Sequence, residues 1–305
     1  MNKTSTILFC GQYLIDLQNR SSYSSTIQKQ YLIKPQQIQR EVPMKLEVVS
    51  EKTKKKIHQT PILFAHGAWH GAWCYQKYFM PYFAQQGFDT YALSYRDHAG
   101  SEKTGMRTNR IKDYVADLGQ VIDKLPGKPI LVAHSMGGHV AQKYLEEQQL
   151  PATVLLAPVP TVGVWWIMQY MLTRHPLAFL KANLTLSLYP VVNTPALSKE
   201  LFFSPNIPEA EFQEYFSKIQ DESYFAFWDM LCLNLPHPKR VKGTPILVLG
   251  AEHDGIFPRV QEERTARAYN STAEFFPGMA HDMMVEKDWK KVANRIIAWL
   301  KEKGL

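Results

Sequence analysis

Pro129-Ile130-Leu131-Val132-Ala133-His134-Ser135-Met136-Gly137-Gly138 decides the fold, because an apolar run passes without a spacer into a serine flanked by small residues. Four consecutive apolar residues read as a buried strand, and small residues two before and two after Ser135 let the chain turn sharply into a helix. Such an elbow holds the serine Oγ away from the sheet and aims the following backbone N–H, that of Met136, at the same point. The common form of this turn is G-x-S-x-G, and here Ala133 stands at the first glycine. On its own the pattern is weak; its surroundings make it specific.

Upstream, Thr60-Pro61-Ile62-Leu63-Phe64-Ala65 reads as a buried strand that runs into His66-Gly67-Ala68-Trp69-His70-Gly71-Ala72-Trp73. This glycine-rich loop can present a free N–H at Ala68, and the Ala68 and Met136 amides together would make an oxyanion hole. Downstream, the apolar strand Pro245–Gly250 ends in Ala251-Glu252-His253-Asp254-Gly255, a carboxylate just past a strand end. Ala273-Glu274-Phe275-Phe276 then leads into Pro277-Gly278-Met279-Ala280-His281-Asp282. The chain order is Ser135, Asp254, His281. A serine hydroxyl is a poor nucleophile at neutral pH, so it needs a base in hydrogen-bond reach and a third group that fixes the base's tautomer. Three loops that each follow a parallel strand lie along one sheet edge and can bring such groups together. Glu252 and Asp282 are alternative carboxylates, although Asp282 adjoins the histidine and is poorly placed to grip its ring.

These four motifs, in this order, resemble the α/β-hydrolase superfamily over roughly residues 44–305, and the HGAxHG form of the oxyanion loop resembles lysophospholipase-like and esterase branches. The resemblance implies Ser135 as nucleophile, His281 as general base and acid, Asp254 as orienting carboxylate, and the Ala68 and Met136 amides as the oxyanion hole. It also implies an α/β fold with a mainly parallel, doubly wound sheet and an inserted helical cap. A serine nucleophile argues against the alkyl-enzyme route of dehalogenases and epoxide hydrolases in this fold.

A length of 305 residues suits one large α/β domain with an insertion. The expected division is an N-terminal extension over residues 1–43, a core over 44–157 and 241–305, and a helical cap over 158–240. In the core the pattern predicts a helix over 75–86, a strand over 89–95, a helix over 111–124, a strand over 152–156 and a final amphipathic helix bearing Val292, Ile296, Ile297 and Leu300. In the 158–240 segment strand–helix alternation stops, and proline-broken helices carry many aromatic side chains. Among these, Trp165, Trp166, Phe227 and Trp228, together with Trp69 and Trp73 of the oxyanion loop, are the candidates for an apolar pocket.

The net charge of +7 is concentrated in residues 1–60, which hold ten Lys/Arg against four Asp/Glu, so the rest is nearly neutral and nucleic acid is not an expected partner. Residues 1–43 are polar, rich in Gln and Ser, and read as flexible, with Met44 as an alternative start; Thr6–Cys10 is too short for the apolar region of a signal peptide, about 7–15 residues. No apolar run approaches the roughly 20 residues needed to span a bilayer, so lipid contact is expected to be transient. Cys10, Cys74 and Cys232 are scattered, which suggests neither a disulfide framework nor a zinc site and fits a reducing cytoplasm. His66 and His70 have the spacing of helical metal ligands, but the adjoining glycines make this a loop and no metal is expected. No G-x-G-x-x-G or P-loop occurs, and no cofactor is expected. The function these features favour is a serine hydrolase acting on a carboxylic ester, lipid-like in the manner of a monoacylglycerol or lysophospholipid, through an acyl-enzyme. C–C bond cleavage or lyase chemistry on the same triad, and a low-turnover ligand receptor or scaffold, are the alternatives.

Overall fold

A computed structural model describes residues 43–305. The expected extension over residues 1–43 lies outside them, apart from Pro43. The next residue, Met44, is fixed by both of its backbone groups, with its N–H on Gln120 Oε1 at 2.8 Å and its carbonyl accepting from Gln120 Nε2 at 2.7 Å.

Seven strands form one sheet: β1 (Val48–Glu51), β2 (Ile62–Ala65), β3 (Thr90–Leu93), β4 (Ile130–His134), β5 (Thr153–Leu156), β6 (Ile246–Ala251) and β7 (Ala273–Phe276), in the spatial order β1-β3-β2-β4-β5-β6-β7. Only β1 is antiparallel to its neighbour, and the other pairings are parallel. Every residue of β2, β3, β4 and β5 is buried, as continuous runs of Ile, Leu, Val and Phe require when helices cover both faces of a parallel sheet. Register places Ala133 of β4 between Ala65 of β2 and Leu155 of β5, so the end of β4 is at the middle of the sheet. The mainly parallel, doubly wound architecture is therefore as the sequence pattern predicts.

Helices α1 (Trp73–Gln76) and α2 (Phe79–Gln85) occupy the stretch expected to hold one helix over 75–86. Pro81 explains the break. In an uninterrupted helix its ring would clash with the carbonyl four residues back, whereas a restart at Phe79 puts it in the first turn, where no N–H is needed. Helix α3 (Ile111–Lys124) has the expected bounds and buries Ile111, Tyr114, Leu118, Val121 and Ile122 on one face, packed on α4 (Met136–Tyr144).

Between β5 and β6 the chain forms α5 (Trp165–Arg174), α6 (Pro176–Thr185), α7 (Pro195–Phe202), α8 (Glu209–Phe216) and α9 (Tyr224–Trp228), the last running on into a π-helical turn over Asp229–Leu233. Prolines open α6 and α7, where a missing N–H costs nothing. Side-chain oxygens of Thr194 and Ser223 accept the N–H groups of Leu197 and Ala226 and so cap α7 and α9. Helix α10 (Arg259–Ala268) follows Pro258, and α11 (Trp289–Glu302) closes the domain with Val292, Ile296 and Leu300 buried. Among the described residues no helix is long and apolar enough to cross a membrane.

Candidate active site

The connection from β4 to α4 is a single residue, Ser135, with φ 50° and ψ −117°. Side-chain-bearing residues rarely adopt that region, so the neighbours must hold it. They do so through the backbone: Ser135 N–H donates to Leu156 O at 3.1 Å, and Ser135 O accepts from Val159 at 3.1 Å and from His139 at 3.2 Å. Gly137 makes the turn possible from the helix side. A Cβ there would lie 2.5 Å from the carbonyl oxygen of His66 and 2.7 Å from that of Ala65, so only glycine lets α4 start this close to the end of β2.

Asp254 follows β6 and His281 follows β7, and both side chains are almost completely buried. The Asp254 Oδ1 accepts the N–H groups of Ile256 at 2.8 Å and Phe257 at 2.9 Å, which turns Oδ2 toward His281 Nδ1 at 2.8 Å. The other two nearby carboxylates are engaged elsewhere: Glu252 accepts from Gly278 N–H at 2.9 Å, and Asp282 pairs with His70 Nε2 at 2.8 Å. The His281 loop is pinned beside the elbow, since His134 Nε2 donates to the His281 carbonyl at 3.1 Å and the two rings lie 4.6 Å apart. No hydrogen bond joins Ser135 Oγ to His281 among the described residues; the imidazole bonds Asp254.

Ala68 and Met136 line the same cavity as Ser135, and among the described residues neither of their N–H groups donates to another protein group. The loop that carries Ala68 is held by three buried histidines whose protonation follows from their partners. His66 Nδ1 donates to Gly67 O at 2.7 Å while its Nε2 accepts from Tyr95 N–H at 3.1 Å, and burial drives its pKa well down, so it is neutral. His70 faces two acceptors, Ala68 O at 2.7 Å and Asp282 Oδ2 at 2.8 Å. Both ring nitrogens must therefore carry protons. Burial alone would remove the charge, but the Asp282 carboxylate outweighs it and the His70 pKa is raised. His98 repeats the arrangement between Arg96 O at 2.9 Å and Glu222 Oε2 at 3.0 Å; there too burial is overridden, by Glu222, and the pKa is raised. Glu222 Oε2 also accepts the N–H of Trp69 at 3.4 Å, and Trp69 O accepts from Gln220 N–H at 3.1 Å. These bonds hold Trp69 in the left-handed region, at φ 65°, next to Ala68.

The His70–Asp282 pair makes a pH-dependent contribution to stability. Folding raises the His70 pKa above its ordinary 6.5, so the contribution is full below that value and is lost as pH rises through the raised one. Asp282 has the opposite sign: burial opposes its charge, His70 outweighs burial, and its pKa is held below 3.8, so its share is lost only as pH falls through that lowered value. Asp282→Asn is expected to cost about 3–5 kcal/mol near pH 6, because it leaves a buried group without its counter-charge. In urea unfolding, the gap to the parent should narrow as pH rises through the raised His70 value. A gap that is absent, or that does not change with pH, would contradict the charge assignment.

The cavity above Ser135 is lined by Trp69, Ile167, Met168, Met171, Phe179, Leu188, Phe227, Trp228 and Phe257 among others, and no charged side chain lines it. Of the expected pocket residues, Trp69, Phe227 and Trp228 are present. Trp73, Trp165 and Trp166 are not. Trp73 is stacked between His70 at 5.1 Å and Tyr215 at 6.1 Å, where it packs the loop of residues 66–73 against α8. Trp165 and Trp166 are 52% and 46% exposed, because α5 turns Ile167, Met168 and Met171 inward and leaves its first two residues on the outer face.

Donor atoms of His134, His281 and Asp282 lie within 4.8 Å of one another, the geometry of a metal-ligand group. Their bonding fits packing better, since His134 Nε2 is engaged with the His281 carbonyl and Asp282 with His70. Sequence reasoning passed over His98, Glu222 and the pairing of His70 with Asp282. Only the HGAWHG loop hinted at the last.

Residues 62–295 match the model of the alpha/beta hydrolase family. Among solved structures the chain is similar to a monoacylglycerol lipase from Paleococcus ferrophilus, with 22% identity, a TM-score of 0.65, and coverage of 85% of this chain and 100% of that one. An esterase from Exiguobacterium antarcticum matches at 18% identity and a TM-score of 0.63, covering 85% and 96% of the two chains. A bromoperoxidase from Bacillus anthracis matches at 16% identity and a TM-score of 0.65, covering 86% and 97%. At these identities the likeness is one of fold.

Proposed function

The chain belongs to the alpha/beta hydrolase family, and from that premise we propose that it is a serine hydrolase cleaving carboxylic esters with an apolar acyl group. The observation that carries this reading is the meeting of Ser135 with two unengaged amides, Ala68 and Met136, at the wall of a cavity that no charged side chain lines. A neutral acyl chain fits such a cavity without stranding a charged side chain, while its carbonyl oxygen finds two free backbone N–H donors beside Ser135.

In the mechanism that follows, substrate brings the Ser135 hydroxyl and His281 Nε2 into hydrogen-bond contact, a tightening common to sites whose resting geometry is loose. His281 takes the hydroxyl proton as Oγ attacks the carbonyl carbon, and Asp254 stabilises the imidazolium. The tetrahedral oxyanion is held by the Ala68 and Met136 amides. His281 returns the proton to the leaving alkoxide, and a water activated by the same ring then hydrolyses the acyl-enzyme. A monoacylglycerol or lysophospholipid is the substrate class of this shape. The exposed Cys232, unpaired among the described residues, suits a reducing compartment such as the cytoplasm.

A series of p-nitrophenyl esters tests the acyl assignment. The expected kcat/KM rises by up to about 0.8 kcal/mol per methylene, roughly fourfold each, until the cavity is full. Phe227→Ala should flatten that rise and leave acetate turnover nearly unchanged, whereas Trp166→Ala, outside the cavity, should leave the whole series as it was. A profile peaking at acetate would reject the lipid-like substrate.

A further inference from the structure

Helices α5 and α6 are apolar on both faces. Their inner faces line the cavity through residues such as Met168, Met171 and Phe179. Their outer faces carry Trp165, Trp166, Leu172, Leu177, Leu180 and Leu184, all exposed, with Leu177 at 81% and Leu184 at 76%. An ordinary surface helix turns charged and polar residues outward, and a helix that is apolar all round is normally covered. Nothing among the described residues covers these side chains, and they make up six of the thirteen large exposed hydrophobics found there.

Charge tells what kind of surface fits. Residues 158–190 contain no Asp or Glu, and the two helices carry Arg174 and Lys181, both exposed. Tryptophan and leucine with cations and no acidic residue in the two helices themselves is the composition of helices that lie in a membrane interface, and the Glu200 carboxylate that reaches them from α7 is engaged by Tyr170 and His175. A protein partner's apolar patch would ordinarily be bordered by polar groups of both signs. Position agrees as well, since a lipid surface laid on the outer face would sit about one helix diameter, roughly 10 Å, from the cavity wall formed by the inner face.

We propose that the outer face of α5 and α6 is a docking surface for lipid membranes or micelles bearing anionic headgroups, from which an acyl chain passes to the cavity behind it. This rests on the ester-hydrolase reading only for the fate of the lipid; the docking itself is a binding property and is tested as one.

The full chain is sedimented with vesicles of phosphatidylcholine alone and with vesicles containing about a third phosphatidylglycerol, while turnover of a soluble short-chain p-nitrophenyl ester is followed in parallel. The expected parent protein partitions onto both, more strongly onto the anionic vesicles, with the difference suppressed by salt. Leu177→Glu combined with Leu184→Glu should lower partitioning on the order of tenfold or more and leave soluble-ester turnover unchanged, since neither side chain lines the cavity. Leu177→Ser gives the same comparison in a milder form should the double variant not fold. A parent protein that stays in the supernatant with both vesicles overturns the proposal, as does a variant that sediments like the parent. A parent dimer that the double variant converts to monomer, without vesicle binding, also overturns it and assigns the face to a second copy of the chain. Vesicle binding that depends on Leu177 and Leu184 in a protein inactive on every ester upholds the docking surface and removes the ester reading instead.

Discussion

Ser135→Ala is expected to lower kcat/KM for esters on the order of 10⁵- to 10⁶-fold and to abolish labelling by a fluorophosphonate, with no loss of folding stability. The loss follows from chemistry: without Oγ no acyl-enzyme forms, and only the two amides and the cavity remain to act on the substrate. Stability is spared because the elbow is held by backbone bonds from Leu156, Val159 and His139, which alanine keeps. The strain at φ 50° is the same for alanine as for serine. Ser135→Gly removes the Cβ that makes this region costly, so it should be inactive and at least as stable as the parent. Activity retained by both variants would remove Ser135 from the reaction.

Asp254→Asn is expected to lower kcat on the order of 10⁴-fold through the tautomer it imposes on His281. The Oδ1 position faces two N–H donors, those of Ile256 and Phe257, so the amide oxygen of asparagine must take it. Its NH₂ group then points at His281 Nδ1, which has to accept instead of donate. The imidazole proton moves to Nε2, where a lone pair is needed to take the serine proton. Substrate binding should be little changed, because Asp254 does not reach the cavity. A loss below about tenfold in kcat would show that another group orients the histidine.

The residues proposed to react were readable in the sequence because each follows an apolar strand closely, so its position at the carboxyl edge of the sheet is set by chain order alone. Ser135, Asp254 and His281 all lie within a few residues of a strand end. The choice among Asp254, Glu252 and Asp282 depended on where the carboxylates point, which spacing hints at and hydrogen bonds decide. The histidine–carboxylate pairs are a different case, since His98 and Glu222 are 124 residues apart and His70 and Asp282 are 212 apart. Nothing local marks such partners. The tryptophans fail for another reason: Trp165 and Trp166 are as apolar as Phe227 and Trp228, and composition cannot tell which face of a helix meets the cavity when both faces are apolar. Helix α10 went unseen because Arg, Glu and Gln dominate it and dilute the apolar period. The break before Phe79, by contrast, was written in Pro81.

Gln220 and Glu222 belong to the stretch between β5 and β6, yet they bond Trp69 and His98 on the sheet side of the site. On the proposed function, reactivity comes from the strand ends and selectivity from the helices between β5 and β6, which would let evolution or an engineer exchange one module and keep the other. The two residues limit that modularity, as do the buried bonds of Asp229 with Arg110 and of Ser204 with Glu286. A foreign stretch spliced in between Pro158 and Arg240 would carry its own pocket but would have to reproduce a buried carboxylate at the place of Glu222, or the loop of residues 66–73 would lose the bond that holds Trp69. Grafts that keep residues 220–223 from this chain are expected to preserve turnover better than grafts that replace them.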